Sequence, residues 1–243
     1  MTSSTLSVQL YTVRDHVAAD LPQTLERLAR IGFTRVEPYD FVARADELAR
    51  SLTEHGLTAP TAHAPLLSTD QDAVLTAAKR LGIETVIDPY IPAESWQDAA
   101  SVRETAEKLN AAAKKAAEYG IRVGYHNHDW EISTRIEGVT ALEYLAARLD
   151  PQVVLELDTY WAAVGGEDVL ALLQRLGDRV VALHVKDGPR SKNNKEQVAV
   201  GSGTMPVDEI IAATDGLLHV VELDDFDGEI FDAVADSHAY LTK

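Results

Sequence analysis

The sequence predicts one (β/α)8 barrel over residues 1–243, and three observations carry that prediction. Eight short apolar segments rich in β-formers recur at intervals of roughly 25 to 40 residues, the period of a βα unit. Helical patterns fill the intervals, and the first four close on a glycine just before the next strand, a common way to build the return loop. A doubly wound open sheet normally carries a glycine-rich phosphate turn after its first strand. Here that position reads LYTVRDH and has no glycine.

The strands are expected at residues 6–11 (LSVQLY), 35–39 (RVEPY), 58–64 (TAPTAHA) and 85–90 (TVIDPY), then at 122–128 (RVGYHNH), 153–158 (VVLELD), 180–187 (VVALHVKD) and 218–224 (LHVVELD). Runs without polar alternation suit strands buried on both faces. The first helix, LPQTLERLARIG, has Pro22 near its start and Gly32 at its stop, and DELARSLTEHG and DAVLTAAKRLG end likewise on Gly56 and Gly82. The long DAASVRETAEKLNAAAKKAAEYG ends on Gly120; GVTALEYLAARL, GEDVLALLQRLG, PVDEIIAA and GEIFDAVADSHAYL complete the set. No linker, low-complexity tract or break in composition divides the chain, so one domain is expected.

Hydrophobic residues make up 46% of the chain and charged residues 25%, an ordinary soluble composition. No apolar run approaches the ~18 residues needed to span a bilayer. The opening MTSSTLSVQLYTVRD lacks the basic-then-apolar pattern of a signal peptide, so a cytoplasmic location and no membrane partner are expected. Without cysteine, any metal must take oxygen and imidazole ligands. The net charge of −17, with no basic patch to offset it, opposes a nucleic-acid partner.

In a barrel of this kind, catalytic groups come from the C-terminal ends of the strands. Those ends carry Gln9 and Tyr11, Glu37, His63, Asp88, then His126, Asn127, His128 and Glu131, then Glu156 and Asp158, then His184, Lys186 and Asp187, and finally Glu222 and Asp224. A lone strand histidine is more often a satisfied core residue than a ligand, and a strand-terminal aspartate is usually a cap. Asp88 and Asp224 are read as caps. Acids and imidazoles from seven strands on one rim nevertheless point to a site. Alternation along a strand puts Glu156 with Asp158 on one face, and His126 with His128. Such a donor set suits Mn²⁺, Mg²⁺, Co²⁺ or Fe²⁺ better than structural zinc, although zinc is admissible. A divalent ion there would hold vicinal sugar oxygens and polarise a carbonyl, while spare carboxylates move a proton α to it.

The segments VQLYTVRD, YHNHDWE, LELDTYW, LHVKD and VVELD, in this order, resemble the sugar phosphate isomerase/epimerase family, the xylose isomerase-like TIM barrels. VGSGTMPVDEI is similar to that family's Gly-x-Gly loop, and the resemblance extends over essentially the whole chain. It implies one divalent metal held by four side chains from the last four strands. Asp158, His184 and Glu222 match three of those ligands. At the strand-five position the family has Glu where this chain has His126, and Glu131, five residues later, is the preferred replacement. On that reading His126 and His128 line the pocket. Trp161 stands where the isomerases have a histidine, and it either stacks on a sugar ring or packs. Lys186 is the cation expected to hold an oxyanion or phosphate, or else a paired core lysine. Glu37 and His63 sit at the right ends to contact substrate.

The activity implied first is a metal-dependent isomerase or epimerase of a sugar or keto-sugar. Glu131, Glu222, Lys186 and His126 would supply proton transfer through an enediolate and its stabilisation. The alternative is a lyase that eliminates water or an aglycone from a keto-sugar, as in inosose dehydratases and 3-keto-glycoside lyases. A non-catalytic subunit is a minor alternative. A small sugar or keto-sugar is the expected partner, and the resemblance also implies pairing of two copies through outer helices.

Overall fold

The computed structural model describes residues 5–243, so the first four residues of the stretch read for a leader lie outside it. Eight parallel strand segments close a barrel: β1 (Leu6–Val8), β2 (residues 35–39), β3 (Thr61–His63), β4 (Thr85–Asp88), β5 (Arg122–His126), β6 (Val153–Asp158), β7 (Val180–Val185) and β8 (Leu218–Val221). Seven of them form a continuous sheet in which β1 pairs with β8 in the register Leu6↔His219 and Val8↔Val221. The remaining gap is spanned by β2, through single bridges Gln9↔Glu37 on one side and Arg35↔Thr58 and Tyr39↔His63 on the other. β2 is irregular because Pro38 has no N–H to give the ladder. Its neighbours still bond, Glu37 N to Val8 O at 2.8 Å and Val36 N to Thr58 O at 2.9 Å.

The helices packed outside are α1 (Leu21–Ile31), α2 (Ala45–His55), α3 (Gln71–Leu81), α4 (Ala99–Ala117), α5 (Ala141–Ala146), α6 (Val169–Leu176), α7 (Val207–Ala213) and α8 (Ile230–Leu241). Their starts follow from capping chemistry. Asp20, Asp70 and Asp98 each accept from backbone N–H groups of the first turn, and Thr140 with Glu143 closes a capping box at α5. Gly56 and Gly82 end α2 and α3 at φ 66° and 71°, where a side chain would be strained. α4 stops at Ala117 rather than running to Gly120, and a turn over Glu118–Gly120 leads into β5. Among the described residues, no helix is long and apolar enough to cross a membrane.

Alternation along the strands sorts side chains between the two layers. On β5, Tyr125 points out and packs its ring 5.1 Å from Trp96, beneath α4, while His126 points inward. On β6, Glu156 and Asp158 both face the interior, where each is fully buried and meets an imidazole. The C-terminal rim therefore opens onto a buried floor of acids and imidazoles.

Candidate active site

The floor is a cluster of carboxylates and imidazoles from six strands. Glu156 Oε2 is its hub, 2.7 Å from His63 Nε2, 3.0 Å from His126 Nδ1 and 3.1 Å from His184 Nε2. His184 reaches both ways, Nε2 lying 2.7 Å from Glu37 Oε1 and Nδ1 lying 2.6 Å from Glu222 Oε2. Gln9 Nε2 donates to Glu37 Oε1 at 2.8 Å, and its own Oε1 accepts from Tyr11 N, so β1 holds β2's carboxylate in place. Lys186 Nζ stands 2.9 Å from Asp158 Oδ2, 2.7 Å from Glu222 Oε2 and 2.8 Å from Asp224 Oδ2. Gln197 Nε2 donates to the same Asp224 oxygen, and Asp224 N donates back to Gln197 Oε1.

Burial and charge set the protonation of these groups. Burial opposes a charged His184, but Glu156 and Glu222 overcome it and raise its pKa well above the usual imidazole range. For His126 burial wins, reinforced by the neighbouring His184, and its pKa lies well below that range. Glu222 is held well below the carboxylate range because Lys186 and His184 outweigh its burial. Burial, with Glu156 alongside, raises Glu37. Asp158 is raised by burial, against the pull of Lys186.

This donor set fits a divalent cation. His126, Asp158, His184 and Glu222 each offer a ligand atom, all within 4.8 Å of one another, and all four residues are buried. Glu37 Oε2 and Glu156 Oε1 make no hydrogen bond, and Asp158 Oδ2 has only its ion pair with Lys186, so the cluster holds buried anionic oxygen in excess of its hydrogen-bond donors. Nitrogen and oxygen without sulfur suit Mn²⁺, Co²⁺, Fe²⁺ or Mg²⁺, and admit Zn²⁺. Glu156 would sit behind His126 and His184 as the carboxylate that orients metal-binding imidazoles. A second group, His63, His126, Glu156 and His184, is equally compact and shares two of these residues.

Asp158, His184, Glu222 and His126 come together, but Glu131 is not brought to the cluster. Its carboxylate accepts from His128 N at 2.8 Å and from the Tyr125 hydroxyl. Since Tyr125 faces the helix layer, Glu131, on the short helix Trp130–Ser133, is anchored on that side of β5. The closure is tight: a Cβ on Gly165 would lie 2.5 Å from Ile132 Cβ. Its work is to shape the loop that presents His128 and Trp130, and His126 occupies the strand-five place in the donor set.

Above the floor lies a cavity of about 620 Å³, lined among others by His63, His126, Trp161, Glu222 and Asp224. Trp161 N caps onto Asp158 Oδ1 at 2.8 Å, and its ring faces the cavity with Lys186 Nζ 5.8 Å from its centroid. Lys186 itself is buried behind these groups and fully ion-paired, the paired-lysine reading of the sequence. Glu37 is buried beneath the floor rather than at the substrate surface. Asp88 is a cap as expected, accepting from Leu67 N and Tyr90 N, whereas Asp224 is the Lys186 partner. The GSG loop offers no anion cradle. Asp187 takes the N–H groups of Gly188, Gly201, Gly203 and Met205 at 2.8 to 3.0 Å. Glu156 and Gln9 were not singled out as site residues, although Glu156 stands two positions before Asp158 on the same face.

Comparison with known proteins agrees with this architecture. An inosose dehydratase of Lactiplantibacillus plantarum is 37% identical over 108 residues, 44% of this chain and 33% of that protein, so the aligned stretch spans about a third of the relative's length. A crystal structure of a sugar phosphate isomerase/epimerase from Parabacteroides distasonis superposes with a TM-score of 0.84 at 23% identity, covering 98% of this chain and 94% of the other. The IOLI protein, solved with a bound zinc atom, superposes with a TM-score of 0.74 at 17% identity over 98% of this chain and 96% of its own. A family model described as the xylose isomerase-like TIM barrel matches residues 25–218, and the chain belongs to that family.

Proposed function

We propose that this protein is a divalent-metal-dependent lyase that eliminates a β-oxygen substituent from a keto-sugar or keto-cyclitol. The observation that carries the reading is the buried donor set His126, Asp158, His184 and Glu222 at the bottom of a cavity of ligand size. The 37% identity to an inosose dehydratase favours elimination over the isomerisation that the motifs alone put first. Both reactions begin by removing a proton α to a carbonyl. They diverge afterwards: an isomerase returns the proton to carbon, whereas a lyase lets the C–O bond break.

Those four residues would hold a divalent ion, which would supply Lewis acidity at the carbonyl oxygen. The chain's own groups do the rest. His63 lines the cavity, and with Nε2 engaged by Glu156 and Glu37 its Nδ1 is the ring nitrogen left to accept the α-proton. Glu156 fixes that ring's orientation, and Gln9 and Glu37 support it from below. The C–H electron pair becomes the new C=C bond as the C–O bond breaks, and the departing oxygen takes up a proton to leave as water or an alcohol. Trp161 offers a flat face to the ring. Among the described residues no lysine or arginine lines the cavity, and the net charge of −17 argues against a nucleic-acid substrate.

The test is turnover of an inosose by the Mn²⁺- or Co²⁺-loaded protein in D₂O, followed by NMR and by ultraviolet absorbance of the unsaturated product. Loss of water with a His63→Ala defect of about 10²-fold or more supports the reading. Deuterium entry at the α-carbon with no loss of water would make the protein an isomerase. A bound metal with neither reaction on any keto-sugar would favour the non-catalytic subunit.

A further inference from the structure

The inner cluster occupies only the floor of the cavity, and the outer half is of different chemistry. We infer that this outer half is a second subsite, built from Tyr11, Tyr39, Tyr90, His128 and Trp130, that holds the uncharged aromatic aglycone of a glycoside whose sugar ring sits on the inner cluster. This deepens the lyase reading by naming the leaving group. It rests on that reading only for what happens to the bond between the two halves.

Five observations support the subsite. At about 620 Å³ the cavity is roughly twice the small end of the ~300–1,000 Å³ range of ligand pockets, room for more than one ring. Two of its wall residues, Tyr11 and Tyr90, are exposed to 41% and 55%, among the most exposed large apolar side chains described. The rings stand in fixed edge-on pairs on two walls. Tyr11, in the turn after β1, and Tyr39, on β2, have centroids 5.3 Å apart at 85°, and Tyr90, after β4, meets Trp130, after β5, at 5.8 Å and 80°. His128 stacks on Trp130 at 4.2 Å and 7°, which stiffens the second wall. Paired, pre-oriented aromatic faces suit a flat apolar group entering between them.

The last two observations concern polarity. His128 Nδ1 and Trp130 Nε1 are buried without a hydrogen-bond partner, the nearest anion to the former being Glu131 Oε1 at 3.8 Å. Among the described residues no lysine or arginine lines the cavity, its acidic walls are Asp40, Asp129, Glu222 and Asp224, and Asp187 has consumed the glycine-loop N–H groups. Lys186 is committed to Glu222 and Asp224, and Lys192 to Asp129, so no cation of the walls is left to take a phosphate or carboxylate, and the aglycone is uncharged.

Binding of unreactive probes separates this inference from catalysis. Phenyl β-D-glucopyranoside and methyl β-D-glucopyranoside are titrated calorimetrically into the metal-loaded protein and its variants. The phenyl compound is expected to bind about tenfold tighter, the scale of one aromatic contact. Tyr90→Ala should erase that preference, while Tyr90→Phe keeps it; Tyr90 is more than half exposed, so neither change threatens the fold. Equal affinity of the two probes, no binding of either, or a preference intact in Tyr90→Ala would overturn the inference. Phenyl preference with no elimination from any keto-sugar would sink the lyase reading and leave the subsite standing. Inosose dehydration without phenyl preference would do the reverse.

Discussion

His63 Nε2 and Glu156 Oε2 meet at 2.7 Å beneath the cavity, and that one oxygen also receives His126 Nδ1 at 3.0 Å. A single carboxylate thereby sets the rotation of three imidazoles, His184 being the third. Glu156→Gln places an amide where three ring nitrogens converge, so at least one imidazole must turn. Metal affinity should fall about 10- to 100-fold, the usual cost of losing such a supporting group. Titration with Mn²⁺ checks this, with circular dichroism to show the barrel intact; an unchanged affinity would remove Glu156 from the metal's support.

Strand five offers a sharper contrast. His126→Ala deletes a donor from the compact group His126, Asp158, His184 and Glu222, and bound metal should be lost. Glu131→Gln should leave metal content unchanged and lower stability instead. Its carboxylate holds Tyr125 and the His128 backbone, and charge-assisted bonds of this kind contribute about 1.5–3 kcal/mol each. For a chain of this size that is a fall in Tm of roughly 3 to 10 °C. Metal analysis by mass spectrometry beside a thermal melt distinguishes the two positions. Metal lost from the Glu131 variant and kept in the His126 variant would reverse the assignment.

Glu131 has the chemistry of a ligand and follows β5 closely, but its position in the fold is set by contacts that spacing does not carry. Eight strand segments and their order were legible because buried parallel strands read as uninterrupted apolar runs and glycines mark the returns. The rim was legible for the same reason, since acids and imidazoles at run ends stand out. What period alone does not reveal is which way a loop residue turns. Glu131 lies beyond β5, and its direction is fixed by Tyr125, a residue whose outward face follows from alternation but whose hydroxyl partner does not. Asp224 looked like a cap, yet the following helix starts at Ile230 with Glu229 as its own cap, and Asp224 is free to pair with Lys186. Glu156 was visible as the neighbour of Asp158 on one face, but its role depends on three histidines from three other strands.

The loop after β7 depends on Asp187 in a way that mutation should expose. Both its oxygens are saturated by N–H groups of Gly188, Gly201, Gly203 and Met205, and a Cβ on Gly203 would fall 2.2 Å from Oδ1. Asp187→Ala should cost more than about 3 kcal/mol, since several buried donors lose their acceptor together. Gly203→Ala should be destabilising for steric reasons alone. Limited proteolysis is expected to cut both variants within residues 188–204 first. Inorganic phosphate should not protect that loop in the wild type, because its donors are already taken; protection would show that the loop binds anions.

Asp88 gives the protein a pH dependence whose sign can be stated in advance. Burial raises its pKa from 3.8 to about 6, against the bonds from Leu67 N and Tyr90 N that favour the carboxylate. The folded chain therefore holds this proton more tightly than the unfolded one. The associated stability is fully present below about pH 4 and is lost as pH rises through 6. Two units correspond to on the order of 2–3 kcal/mol. Asp88→Asn cannot titrate, so it carries a constant offset from its lost acceptor and none of this slope. Urea melts of both proteins between pH 4 and 8 should show the wild type losing about that amount relative to Asp88→Asn. A difference that stays flat across the range would mean that Asp88 is ionised throughout, its two backbone donors outweighing its burial.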